Sequence, residues 1–327
     1  MKPGNTYLTT ADLGIGYAES KSENRLFRHL NLTLEGGQMI CFMGPNGAGK
    51  SSLLRTLAGL QKPLSGDIQL YPPEGREDVS KQIAVVLTDR IQMPNLTVQE
   101  IVTFGRYPYL GWNITLTETD RKIIRAAIER IHLEPLLNKK IYELSDGQLQ
   151  LVMIARALAQ DTPVILLDEP TAHLDLNNRV EIMNLLRDLS RTTRRAILLA
   201  THELDLALQT ADVIWLTGKN QNILAGLPED LVLNGSFDDI FQFKGFDLKT
   251  GKVLHTPFRE TMIKLTGAGA PYLWTKNALE RNGFGVTSEE QSISITLAEN
   301  SGELAWVVKK NNDITEANSI EKVMKLL

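Results

Sequence analysis

Apolar positions along the chain change period several times, and each change predicts an element. Leu30, Leu32 and Leu34 alternate with polar neighbours, the pattern of a half-buried strand. After a Gly36-Gly37 turn, Met39–Met43 is an unbroken apolar run and reads as a buried strand. Leu53, Leu54, Leu57 and Leu60 then recur at helical spacing, until Gly59 and Pro63 stop the helix. Residues 64–90 are mixed, with a strand predicted at Ile83–Leu87. From about residue 95 the period is helical. Thr97 with Glu100, and Thr117 with Asp120, have capping-box spacing. Ile123, Ile124, Ala127, Ile128 and Ile131 form one apolar helix face, and another helix is predicted over Asp146–Ala159. Strand-like runs at Val164–Leu167 and Arg195–Thr201 flank a helical stripe of Ile182, Leu185, Leu186 and Leu189. Val213–Leu216 and Ile223–Ala225 read as a hairpin. Strands alternating with helices predict a parallel sheet covered by helices.

The pattern weakens near Asn234-Gly235-Ser236, which places a domain boundary at about 245. Beyond it, strands are predicted at Met262–Leu265, Ser292–Leu297 and Leu304–Val308, with helices at Tyr272–Arg281 and Ile320–Leu327. Residues 246–327 therefore read as a small α/β domain with Trp274 and Trp306 in its core. Its element order resembles part of a ferredoxin-like domain.

Composition narrows the picture. The chain has 327 residues, enough for two domains, and 43% hydrophobic residues exclude a disordered chain. A net charge of −4 shows no basic surplus for nucleic acid. The single cysteine, Cys41, excludes an internal disulfide framework and a cysteine-cluster metal site, and reads as core filler. No apolar run approaches the roughly 18 residues that a membrane span needs, and no secretory h-region is visible.

Two segments carry chemistry. Gly44-Pro45-Asn46-Gly47-Ala48-Gly49-Lys50-Ser51 fits the pattern G-x-x-x-x-G-K-S between a strand and a helix. Its glycines let the loop wrap so that backbone N–H groups converge on phosphates. Lys50 would neutralise the β- and γ-phosphates, and Ser51 would ligate Mg²⁺. Further on, Val164-Ile165-Leu166-Leu167 ends in Asp168-Glu169. Many strands end in an acid at a turn, but beside a phosphate loop these two suit a Mg²⁺ shell and a water-polarising base. Leu144-Ser145-Asp146-Gly147-Gln148 is by itself an N-capped helix start.

With GPNGAGKSS, LSDGQ, VILLDEP, AHLD and Thr201-His202 in this order, residues 5–245 resemble the ABC-transporter ATPases. LSDGQ resembles that family's signature LSGGQ. The resemblance implies a P-loop ABC ATPase of the α/β class, with a mixed sheet, a helical subdomain at about 91–160, and residues 246–327 as an appendage. It implies ATP and Mg²⁺ as cofactors and a head-to-tail homodimer. ATP would lie between the phosphate loop of one copy, Gly44–Ser52, and Ser145, Gly147 and Gln148 of the other. Glu169 would polarise water, His202 would contact the γ-phosphate, and Asp175 would couple the two sites. Tyr17 would stack on adenine; its alternative reading is a core tyrosine.

Two positions depart from the family. Asp146 replaces a glycine and is expected to point away from ATP. Thr88 stands where the family has a glutamine that touches Mg²⁺ and water. Being shorter, Thr88 leaves two alternatives, a bridging water or replacement by Asp89. The stretch Tyr107-Pro108-Tyr109-Leu110-Gly111-Trp112 resembles the ATPase subunits of importers for ferric siderophores, haem and cobalamin. That resemblance implies integral-membrane permease subunits as partners, a periplasmic or lipoprotein substrate-binding protein acting indirectly, no nucleic acid, and a place on the cytoplasmic face of the cell membrane. The rival readings are a soluble ABC ATPase of translation or repair, an exporter ATPase, a P-loop kinase, or an importer of another cargo.

Overall fold

Two sheets enclose one helix in the first part of the chain. The computed structural model describes all residues except 1–4, 20–21, 73–77, 88–94, 113, 219–220, 244–245, 249–251, 254–258, 301–302 and 312. The described chain divides into two units, residues 1–242 and 243–327.

The first unit opens with β1 (Thr6–Glu19), β2 (Ser22–Leu30), β3 (Thr33–Glu35), β4 (Met39–Met43), α1 (Lys50–Leu57) and β5 (Ser65–Leu70). β1 lies between β2 and β3 in an antiparallel sheet and also pairs with β5. Leu30, Leu32 and Leu34 are all buried, as their alternation predicts, but they span the end of β2, a connector and β3 rather than one strand. A Cβ on Gly16 would lie 2.1 Å from Asn24 O, so only glycine permits this strand approach.

β6 (Ile83–Val86), α2 (Val98–Thr103), α3 (Glu118–Ile131), α4 (Asp146–Ala159), β7 (Val164–Asp168), α5 (Leu176–Thr193), β8 (Ala196–Ala200), α6 (Leu204–Thr210), β9 (Val213–Thr217) and β10 (Ile223–Gly226) follow. Short helices α7 (Pro228–Leu233) and α8 (Ser236–Phe241) end the unit. The second sheet has the order β10-β9-β4-β8-β7-β6. Its members are parallel except β10, which closes the predicted hairpin with β9. Every residue of β4, β7 and β8 is buried, as continuous apolar runs covered on both faces should be. α1 packs on β1 of the first sheet and on β7 and β8 of the second. Leu53, Leu54 and Leu57 of α1 join Leu8, Ile15 and Phe27 from the first sheet and Phe42 and Leu166 from the second in one core. Parallel strands bring all their C-terminal ends to one edge, where ligands bind in such sheets.

α2, α3 and α4 form a helical layer. α2 and α3 start on the capping pairs visible in the sequence, Thr97–Glu100 and Thr117–Asp120, and α4 starts on Ser145, which forms a third such pair with Gln148. Between α2 and α3, the 3₁₀ segment Phe104–Tyr109 is anchored by Arg106, which is buried and donates from Nε to Asp120 Oδ1 at 2.8 Å and from Nη1 to Ala159 O at 3.0 Å. Its guanidinium lies 3.8 Å from the Tyr109 ring centroid. Of the three aromatics in this stretch, Tyr109 is thus packed, while Tyr107 and Trp112 are exposed.

The second unit holds a two-stranded ladder of β11 (Phe246–Asp247) and β12 (Lys252–Val253). It continues with β13 (Met262–Thr266), α9 (Gly269–Arg281), β14 (Gly285–Thr287), β15 (Ile293–Asn300), β16 (Glu303–Lys310), β17 (Asp313–Ala317) and α10 (Ile320–Leu326). Its sheet has the order β14-β13-β15-β16-β17. β13 pairs in parallel with both β14 and β15, and the predicted strand-helix-strand-strand-helix order is present as β13, α9, β15, β16 and α10, with β14 and β17 added. α9 packs on β13 and β14, and α10 on β16 and β17. Trp306 is core, as predicted, but Trp274 is 63% exposed, because α9 turns Thr275, Ala278 and Leu279 inward instead.

Trp306 Nε1 donates to Thr275 Oγ1 at 2.7 Å inside this core. Thr275→Val keeps the shape and strands the buried indole N–H, so it is expected to destabilise the second unit by about 1–3 kcal/mol. Denaturant unfolding followed by tryptophan fluorescence checks this; an unchanged midpoint would contradict it.

Candidate functional site

β4 ends in the loop Gly44–Gly49, and α1 begins at Lys50. Gly47 and Gly49 have φ of 77° and 92°, a region that L side chains enter only with strain. Gly49 caps α1 without any side chain on the first-turn N–H groups, which leaves them for an anion. Lys50 is buried, and its Nζ donates to Gly44 O at 3.0 Å and Pro45 O at 3.2 Å. Burial pulls the Lys50 ammonium below the usual lysine range, and the nearby Glu169 and Asp168 carboxylates oppose that pull. Phosphate charge beside it would oppose it further.

The loop borders a cavity of about 410 Å³ whose lining includes Asn46, Gly47, Gly49, Lys50, Ser51, Ser52, Tyr17 and Glu169. Tyr17 is half exposed, so it is no core tyrosine, and its hydroxyl is 2.7 Å from Ser52 Oγ. Two larger cavities, about 850 and 610 Å³, lie against α3–α5 and beside β6, and neither is lined by a motif residue. Motif residues from Asn46 to Ser52, with Glu169, gather instead at the smaller one.

β7 ends at the buried Asp168, and Glu169 follows with φ 49°, its N–H donating to Ala200 O at 3.0 Å. This bend of β7 towards β8 meets the residue after Thr201. His202 Nδ1 lies 3.8 Å from Glu169 Oε1, and its Nε2 3.4 Å from Glu203 Oε1. Among the described residues no group of three His, Cys, Asp or Glu forms a metal cage. Ser51 at the cavity and the buried Asp168 near Lys50 nevertheless offer hard oxygen donors, the type that Mg²⁺ takes together with substrate phosphates. The donor set thus fits Mg²⁺ held partly by nucleotide.

The remaining predicted residues lie elsewhere. Ser145 caps α4, accepting from Gln148 N at 3.2 Å, while Gln148 Oε1 accepts from Ser145 N at 3.2 Å. Asp146 is exposed on the first turn. Gly147 is buried, and a Cβ there would lie 3.1 Å from Asn178 Cγ. Asp175 caps α5 through Asn178 N at 2.9 Å. Ser145, Gly147, Gln148 and Asp175 do not line the phosphate-loop cavity of their own chain. Thr88 and Asp89 fall outside the described residues. Sequence reasoning missed Asn24 and Leu26, which line the cavity, and Arg179, which joins Glu203 at 2.8 Å. Position directly after His202, and four residues after Asp175, was the available signal for the last pair.

Residues 27–172 match the ABC transporter family, and residues 259–327 match the iron ABC transporter C-terminal domain. A petrobactin import ATP-binding protein of Bacillus anthracis is 37% identical over 254 residues, 76% of this chain and 91% of that protein. The solved structure of a metal-chelate type ABC transporter, in an inward-facing conformation, covers 73% of this chain and 90% of its own at 29% identity and a TM-score of 0.64. A dimeric ATP-binding cassette in a post-hydrolysis state, bound to ADP and phosphate, covers 68% and 98% at 27% identity and a TM-score of 0.57.

Lys50→Met removes the one buried ammonium at the loop while keeping most of its volume. It is expected to weaken ATP binding by about 10- to 100-fold, the worth of charged hydrogen bonds to phosphate. Calorimetric titration with ATP measures this, and wild-type affinity would contradict it.

Proposed function

The chain belongs to the ABC transporter ATPase family, and we propose that it hydrolyses ATP at the phosphate-loop cavity to power import of an iron chelate. One observation carries the site assignment. The buried Lys50 ammonium and the Glu169 carboxylate line the same cavity, with His202 beside Glu169. Lys50, the loop N–H groups and Ser52 would hold the phosphates, and the half-exposed Tyr17 ring would lie against adenine. Ser51 and Asp168 would hold Mg²⁺, which when bound offsets phosphate charge. Glu169 would take a proton from water as its oxygen bonds to the γ-phosphorus and the bond to the bridging oxygen breaks, releasing ADP. His202 would steady that water and the γ-phosphate.

The cavity of one chain contains none of Ser145, Gly147 and Gln148. This supports a site completed by a second copy, with the exposed cap of α4 facing the γ-phosphate and Asp175 between the two sites. The dimeric cassette among the structural relatives supports the same arrangement. Asp146, exposed on the same turn, has room to turn away from the nucleotide.

Two similarities support this cargo. One relative imports petrobactin, and the C-terminal residues match a domain of iron ABC transporters. No helix among the described residues is long and apolar enough to cross a membrane, so transport needs permease subunits. We place the chain on their cytoplasmic side, with a substrate-binding protein delivering cargo from the other. Residues 246–327 form a domain of their own in this reading, supported by a core that draws only on that segment.

Glu169→Gln keeps the size of the side chain and removes its charge. It is expected to bind ATP normally, to hydrolyse it at least about 100-fold more slowly, and to accumulate as a dimer with ATP. Phosphate release and light scattering test this, and wild-type turnover would contradict the assignment. In cells, Lys50→Met is expected to abolish accumulation of a radiolabelled ferric siderophore. Undiminished uptake would reject an iron chelate as cargo.

A further inference from the structure

The start of α5 touches two other parts of the chain. Asn178 Nδ2 donates to Asp175 Oδ2 at 3.1 Å, and its side chain packs against Gly147 of α4. The next residue, Arg179, faces the other way. Arg179 Nε donates to Leu174 O at 2.7 Å, and Nη1 donates to Glu203 Oε1 at 2.8 Å. Glu203 Oε1 lies 3.4 Å from His202 Nε2, and His202 Nδ1 lies 3.8 Å from Glu169 Oε1. A series of contacts thus runs from Glu169 to the loop Leu174–Asp175, through close approaches of 3.8 and 3.4 Å at His202 and the hydrogen bonds of Arg179, and from Asp175 through Asn178, which packs against Gly147.

We propose that Arg179 is a positioning residue that ties the Glu169–His202 end of one ATP site to the Asp175–Gly147 end that the same chain presents to the other. The proposal rests on the two-copy site described above. A guanidinium suits this task, because its planar fork fixes two acceptors at a set separation, here Leu174 O and Glu203 Oε1. A lysine ammonium in its place reaches one of them. The side chains of Arg179 and Glu203 are 33% and 15% exposed, so the pair is mostly shielded from solvent. A γ-phosphate that draws His202 towards it alters the contact with Glu203. Through the Arg179 fork that change reaches the cap of α5, and with it Asp175.

A plain brace between α5 and the β8–α6 loop would also contain this ion pair, and the two roles separate in kinetics. In the full chain, Arg179→Lys keeps the charge, and Arg179→Met removes it. Both are expected to lower kcat about tenfold, with KM and the calorimetric Kd for ATP within about twofold of wild type. Because Arg179 acts through His202, adding Arg179→Lys to His202→Ala is expected to cost nothing further. A brace predicts instead a lower melting temperature with kcat kept, or a loss that multiplies with that of His202→Ala. Either result overturns the proposal. Glu169→Gln, assayed in parallel, separates the two levels of inference. If Glu169→Gln turns over like wild type, the site assignment fails and takes the proposal with it. If Glu169→Gln is inactive while Arg179→Lys is normal, the proposal alone fails.

Discussion

A lysine ammonium buried at the end of a strand needs acceptors, and in this protein that need organises the site. Lys50 Nζ binds the carbonyls of Gly44 and Pro45, so the cation folds the loop back over itself. The loop can take that path only because Gly47 and Gly49 accept left-handed backbone angles. The carbonyls satisfy the hydrogen bonds but do not neutralise the charge. Charge balance comes from Glu169 and Asp168, and the cavity leaves room for an anion. A buried cation beside first-turn N–H groups that no side chain caps is the physical basis of the proposed phosphate site.

The parallel sheet makes this possible. β4, β7 and β8 are neighbours or near neighbours in the order β9-β4-β8-β7, and they run the same way. Their C-terminal ends therefore deliver Lys50, Asp168 with Glu169, and His202 to one edge from three distant stretches of sequence. Burial of every residue in these strands fixes their register, so the spacing of the charged groups is set by the core. The Glu169–Ala200 backbone bond then sets the final approach of the carboxylate to the histidine.

Much of this was legible in the sequence where local and tertiary signals agree. α4 spans Asp146–Ala159, as predicted, because Ser145 and Gln148 cap it and its apolar residues face the core. β1 was not legible: register shifts between Leu13 and Ile15 and between Ile15 and Gly16 break the two-residue period. β17 escaped because Asp313–Glu316 are exposed at a sheet edge and carry no apolar alternation. β14 is only three residues long. In the site, the motif residues could be named from the phosphate-loop pattern and the family resemblance, but Arg179 could not. The proposed role depends on Leu174 and Glu203 lying within reach of one guanidinium, and that is a property of the folded loop.

The exposed cap of α4 and the phosphate-loop cavity belong to the same chain yet do not meet in it, so the central claim is that they meet between two chains. Cys41 is the single cysteine and is buried, so a chain carrying Asn46→Cys and Asp146→Cys, both at exposed positions, reports on this contact with no accessible native thiol. Mild oxidation with ATP present, followed by denaturing electrophoresis without reductant, is the direct measurement. The account predicts an ATP-dependent disulfide between two chains, absent from either single-cysteine variant. A monomer band unchanged by ATP, or a disulfide within one chain, would contradict it.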